Sequence, residues 1–156
     1  MKTMLLLTFQ AGSQTYGLDA RNVIQVAPHP RCTQLPHAPA YVAGLVAWRG
    51  CTVPVIDISA LLEGTPARPL LSTRLLVIDY ALPNGRSQPL GLLVEKAVET
   101  VVQDENRSEP QKVTILDAPY LDGTAEYDGR LIQRLAVEEL LPPSVRQLLF
   151  PNLEVA

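Results

Sequence analysis

Apolar and polar residues alternate along this chain in short runs, each broken by proline or glycine. A period of two marks half-buried strands, and nowhere does a 3.6-residue period last beyond two or three turns. Met4–Gln10 predicts a first strand with Leu5, Leu7 and Phe9 on one face. A turn over Ala11–Gln14 returns the chain as Thr15–Leu18. Asp19 is placed to cap one helical turn over Ala20–Asn22, because its carboxylate can accept from the orphan amides there. Val23–Ala27 resumes the strand pattern, and Pro28–Pro39, with four prolines and no periodicity, predicts a surface loop.

The longest β-type run is Tyr41–Ile58, YVAGLVAWRGCTVPVIDI. Val53, Val55, Ile56 and Ile58 are β-branched and suit a pleated, buried surface. Gly50 separates Leu45–Trp48 from Thr52–Ile58, which predicts a tight hairpin with Arg49 on the turn beside Trp48. Pro54 marks an edge or a bulge, since it cannot donate to a ladder. Ser59 is a candidate cap for a short helix ending at Leu62 and closed by Gly64. Asp57, at a strand end, reads as a helix or turn cap. Thr65–Ser72 predicts a linker, and the boundary between two halves falls there.

Beyond it, Arg74–Tyr80 and Gln88–Glu95 predict strands around a Pro83-Asn84-Gly85 turn. Ala97–Val102 alternates as a separate half-buried strand, Gln103–Pro110 is a polar, mobile connection and Lys112–Leu116 a short strand. Asp122-Gly123 and Asp128-Gly129 are turn signals around a hairpin arm, and Arg130–Ala136 is the last strand. Val137–Leu141 predicts one helical turn, stopped by Pro142-Pro143. Pro143 then opens a final helix through Phe150, with Val145, Leu148 and Leu149 facing the body. About ten strands with little helix imply an all-β protein of paired small barrels.

The two halves share a frame. Tyr41, Gly44, Gly50, Leu61 and Leu62 recur 79 residues on as Tyr120, Gly123, Gly129, Leu140 and Leu141. A weaker echo relates Tyr16-Gly17-Leu18, Val23 and Val26 to Leu90-Gly91-Leu92, Val98 and Val101, with one residue inserted. Two matches in the same order imply an internal duplication. Halves of this size would each bury a marginal core, so they are expected to fold as one unit.

Composition narrows the function. Thirteen basic residues against sixteen acidic ones give a net charge of −3, which leaves no electrostatic footprint for nucleic acid. Interleaved aromatics for base stacking are lacking too. No stretch has the length of a membrane span, and Met4–Leu7 is too short for a signal-peptide core, so a cytoplasmic protein is expected. Cys32 and Cys51 do not suggest a disulfide framework. With His29 and His37 they match no zinc spacing. Cys51 with His37 is formally a nucleophile and base pair, the remote alternative of a small Cys/His hydrolase, but nothing marks a third, orienting group. G-x-S-x-G, G-x-G-x-x-G and P-loop motifs are absent. The expectation is therefore no cofactor, no metal and no catalysis. Trp48 and Arg49 remain as the chemistry-bearing pair, because tryptophan and arginine dominate protein–protein binding energy.

LLLTFQAGSQTYGLDARNVIQV and LPHAPAYVAGLVAWRGCTVPVIDISALL resemble the CheW-like family of bacterial chemosensory coupling proteins. Shared features are the Tyr16-Gly17-Leu18-Asp19 turn, the Val23–Val26 strand, the Pro36/Pro39 loop, Gly44 to Gly50 around Arg49, and Pro54 to Asp57. RLLVIDY, LGLLVEKAVETVV and YLDGTAEYDGRLIQRLAVEELL fit the family's second half. The resemblance implies two SH3-like five-stranded β-barrels packed side by side within one domain, 1–156. Subdomain 1 would take about 15–72 and subdomain 2 about 73–141, with strand 4–10 and helix 143–150 packing on the body. It implies a non-catalytic adaptor between the cytoplasmic hairpin tip of chemoreceptors and the regulatory domain of a CheA-type histidine kinase. Arg49 stands where the family has an arginine implicated in coupling, flanked by Trp48 and Gly50. Val23 and Val26, and Val98 and Val101 in the second half, match strands on the receptor side. Departures are Gln25, where relatives often carry an acid able to pair with that arginine, Glu95 where Asp is common, and Gln133 and Arg134 in the last strand. They raise the alternative of a scaffold in a non-flagellar pathway, serving pilus motility or a receptor-controlled diguanylate cyclase. Free strand edges would serve contacts between copies in an array.

Overall fold

The structure, a computed structural model, describes residues 3–104, 109, 110 and 118–151, with side chains described for these except 97–99, 103, 104, 109 and 110. Among the described residues ten strands carry the fold: β1 Thr3–Ala11, β2 Gln14–Asp19, β3 Val23–Pro28, β4 Val42–Trp48, β5 Cys51–Asp57, β6 Arg74–Ala81, β7 Ser87–Asp104, β8 Glu109–Pro110, β9 Leu121–Tyr127 and β10 Arg130–Leu135. Two short helices, α1 Ile58–Glu63 and α2 Pro143–Leu149, and single 3-10 turns at Ala20–Asn22 and Val137–Glu139 complete it. The expected 97–102 strand is not separate. It continues 88–95 in one long β7, which bends at Lys96 (φ 50°). The strand expected over 112–116 and the connection at 105–108 lie outside the described residues.

That long strand is shared by a unit of five strands and a second of five strands plus the two-residue β8. Its first part pairs with β6 and, in parallel, with β5, while β3 joins β6 and β4 joins β5. Its second part pairs with β1, after which come β2, the parallel β10, β9 and the two-residue β8. The sheets therefore do not divide the chain at 72/73. The first unit takes β3, β4 and β5 from the first repeat and β6 and the first part of β7 from the second; the other takes β1 and β2 from the first and the second part of β7, β8, β9 and β10 from the second. Exchange of strands between repeats makes each barrel incomplete without both halves of the chain.

The repeat is visible in the hydrogen bonding. Asp57 N donates to Tyr41 O (2.7 Å) and, 79 residues on, Ala136 N donates to Tyr120 O (2.8 Å). Ladder register slips between Val42 and Gly44 in β4, and at the matching Leu121 to Gly123 in β9. Asp122-Gly123 is thus a bulge within β9 rather than a turn. Both hairpin tips have positive φ at both central residues, Arg49 (48°) and Gly50 (75°), Asp128 (52°) and Gly129 (74°), the mark of a type I′ turn. The upstream echo needs no inserted residue: Val77 lies opposite Gly91 and Gln25, as Thr8 lies opposite Gly17 and Glu99. Val26 therefore corresponds to Thr100, not to Val101.

Alternation sorts the apolar residues into layers. Leu76, Ile78 and Tyr80 of β6 join Leu7, Phe9, Leu18, Ile56 and Leu92 in a core shared by both sheets. Leu75 and Val77, on the other face of β6, fill the first unit with Val46, Val53, Val55 and Leu93. Leu7 and Phe9 face the shared core as expected, whereas Leu5 is 43% exposed. In α2, Val145 is buried and Leu149 touches the core, but Leu148 faces solvent. Phe150 closes that end by stacking on Tyr80, with ring centroids 5.9 Å apart.

Candidate functional site

β3 and β4 are the two edges of the first sheet, each with one paired neighbour. Side chains close the seam between them. Trp48 Nε1 donates to Gln25 Oε1 (2.9 Å), and an Nη of Arg49 donates to the same oxygen (3.3 Å). The Arg49 guanidinium carbon lies 4.5 Å from the Trp48 ring centroid. The type I′ tip folds Arg49 back over its neighbour, so one glutamine aligns both side chains. Among the described residues Arg49 has no carboxylate partner, and its charge faces solvent. Exposed cation–π contacts contribute about 0.5–1 kcal/mol, against about 1.5–3 kcal/mol for burying one core aliphatic side chain, so the clasp orients more than it stabilises.

The other expected residues fall differently. Val23 is half-buried against the shared core, and Val26, across from core residue Leu76, is 48% exposed. Val101 is 2% exposed, because strand alternation turns it inward; it packs and presents nothing to a partner. Val98 lies in β7, but its side chain is outside the described residues. Sequence reading missed Val102 and its cross-strand neighbour Leu5, 64% and 43% exposed, on the same face of the sheet as core residue Leu7. Their apolar character was legible; the face on which each would lie depended on the register of β7.

Two further contacts hold the 64–73 connection. Asp57, not Ser59, caps α1: its carboxylate accepts from Ala60 N (3.1 Å) and also from Ala67 N (2.9 Å). The buried carboxylate of Glu95 accepts from Arg68 N (2.6 Å) and pairs with the Arg68 guanidinium (3.2 Å). Burial pushes the Glu95 carboxyl up, but the Arg68 hydrogen bonds and charge outweigh it and hold the pKa below its ordinary value. Burial, then the Asp57 charge, push the Cys32 thiol up, away from the thiolate a nucleophile or metal ligand needs. Among the described residues no three His, Cys, Asp or Glu side chains converge as metal ligands do, and no helix is long and apolar enough to cross a membrane.

A family model of the CheW-like domain matches residues 5–144. The chain belongs to the CheW-like domain family. It is 26% identical to the chemotaxis protein CheW of Rhizobium meliloti (strain 1021), over 91% of this chain and 90% of that protein. Protein FrzA of Myxococcus xanthus is 33% identical over 69 residues, 44% of this chain and 43% of that one. The crystal structure of the scaffolding protein TtCheW from Thermoanaerobacter tengcongensis superposes with a TM-score of 0.79 at 25% identity, covering 93% of this chain and 92% of that one. This CheW-like domain is mostly β, and its fold matches that of the scaffolding protein over nearly the whole of both chains.

Proposed function

We propose that this CheW-like domain is a non-catalytic adaptor of bacterial chemosensory signalling, coupling methyl-accepting chemoreceptors to the regulatory domain of a CheA-type histidine kinase in the cytoplasm. The observation that carries the reading is the seam clasp: Arg49, held over Trp48 by Gln25, offers a guanidinium with no carboxylate partner among the described residues, and an aromatic ring, at the tip of the β4–β5 hairpin. That composition suits a binding hot spot. Val26, Leu5 and Val102, exposed on the face that carries the shared core, suit the apolar side of a receptor helix. The match over residues 5–144 and the resemblance to a scaffolding protein support the same reading.

Calorimetric titration with the regulatory domain of a CheA-type kinase from the same organism tests it. A saturable complex in the micromolar range is expected. Arg49→Ala should weaken it at least tenfold, about 1.4 kcal/mol, while circular dichroism stays unchanged. No binding to any such kinase domain would sink the coupling role. A second reading, a scaffold of a non-flagellar chemosensory system, is favoured by the local similarity to FrzA. Co-purification with a particular receptor separates the two.

A further inference from the structure

One amide holds both side chains of the seam clasp, and chemistry fixes which way round it sits. Trp48 Nε1 and the Arg49 Nη can only donate, so the atom that takes both, at 2.9 and 3.3 Å, is the carbonyl oxygen of Gln25. The Gln25 amide hydrogens are therefore turned away from these two donors. Gln25 Nε2 has no hydrogen-bond partner among the described residues, and it keeps accessible surface. Arg49 is exposed and gives one N–H to Gln25; the rest of its fork is unused among the described residues.

The charge of the tip is not cancelled inside the molecule. An amide oxygen carries only a partial charge, so Gln25 orients the guanidinium without neutralising it. The Trp48 ring, 4.5 Å from the guanidinium carbon, is neutral as well. The platform beneath is fixed, because Trp48 packs on the apolar cluster of the first unit, with Val46 and Val53. Arg49 is held over it by a left-handed backbone, φ 48°, which few residues other than glycine adopt. Two sets of donors, on Arg49 and on Gln25 Nε2, thus stand side by side at the solvent edge with one uncompensated positive charge.

We propose that Gln25 is a positioning residue that makes this tip a receptor for one acidic side chain, an aspartate or glutamate of the kinase regulatory domain, whose carboxylate bridges Arg49 and Gln25 Nε2. The inference rests on the adaptor reading and names the chemistry of its partner. One guanidinium and one amide match two oxygens that share a single negative charge; a phosphate group, with more charge and more oxygens, calls for a cluster of arginines. Residue 25 then sets specificity. A carboxylate at this position would pair with Arg49 within the chain and repel the incoming acid, whereas the amide leaves the cation to the partner.

The test is calorimetric titration of the full chain with the regulatory domain of a CheA-type kinase from the same organism, at about 50 and about 300 mM salt. Affinity of the unsubstituted protein should fall about threefold or more between the two, because an exposed ion pair is screened. Gln25→Glu is isosteric and keeps an acceptor for both donors, so its urea midpoint should not fall. It should bind at least tenfold more weakly at low salt, with a flatter salt dependence. Gln25→Met removes the acceptor but no charge; it should bind more weakly and keep the salt dependence. Undiminished affinity in Gln25→Glu, or a salt dependence as steep as that of the unsubstituted protein, would overturn the acidic partner. The adaptor reading would still stand if Arg49→Ala weakens the complex. If Gln25→Glu is destabilised, Gln25→Met decides, and undiminished affinity there overturns the positioning role. No complex with the unsubstituted protein at either salt would sink the adaptor reading and this inference with it.

Discussion

At the residue scale, two glycines with the same place in the sequence pattern have different reasons to be glycine. Gly44 has φ 138°, and a Cβ there would collide with the Thr33 carbonyl, whose carbon would lie at 2.8 Å. Thr33 cannot retreat, since it exchanges two 2.8 Å backbone hydrogen bonds with Leu45 and covers the free edge of β4. Gly50 has φ 75° and nothing within 4 Å. Gly44→Ala should therefore cost about 2–4 kcal/mol, and Gly50→Ala only about 1–2 kcal/mol for the left-handed backbone. Urea denaturation of the two variants checks the ordering, and equal losses would refute the contact argument. Sequence marked both as punctuation. The carbonyl over Gly44 was invisible there, because Thr33 sits in a loop with no periodicity.

At the scale of elements, the 64–73 connection behaves as part of the first unit. The carboxylate of Asp57 caps α1 and holds the Ala67 amide in one geometry. Asp57→Ala loses a cap, about 1 kcal/mol, and leaves a second amide unsatisfied, so about 2–3 kcal/mol in all is expected. Limited proteolysis should show cleavage within 64–73 well below the unfolding midpoint. Retained protection would mean that packing of Ala67 alone holds the segment. A cap at Asp57 was legible as a strand-end acid, while its reach across ten residues to Ala67 was not, because proline-rich segments carry no pattern that states where they dock. The strands of β6 and of the first part of β7 were legible as apolar runs around the Pro83-Asn84-Gly85 turn. Val101, placed on the receptor side by the family resemblance, lies opposite the buried Leu6 and is itself buried.

For the whole molecule, Glu95 sits where β7 passes from one sheet to the other: Val94 pairs with Arg74, and Glu95 with Gln10. Its pKa is lowered in the fold, as is that of Asp19, chiefly by the Arg21 hydrogen bond. Such groups stabilise the fold above their unfolded pKa, and that stabilisation fades as pH falls below about 4.5 for Glu95. Asp122 has the opposite sign. Burial raises its pKa, so ionisation costs stability as pH rises through the carboxylate range. Glu95→Gln should thus lower stability at pH 7 and flatten the acid limb of the stability curve, whereas Asp122→Asn should lose nothing at pH 7. Urea midpoints from pH 3 to 7 test both. An unchanged acid limb in Glu95→Gln would place the pH sensitivity elsewhere.

Local order was written in the chain by itself: period-two alternation, turn residues and caps specify strands and hairpins from neighbours a few residues apart, and the recurring frame of glycines discloses the duplication. Partnership between distant segments was decided only by the tertiary structure. A strand's pattern states which face is buried but not which strand lies beside it. The same alternation is satisfied whichever strand lies on the second edge of β6, which pairs with β7 of its own repeat and with β3 of the other. Burial of one core common to both sheets selects the exchange, and with it the seam that aligns Trp48, Gln25 and Arg49.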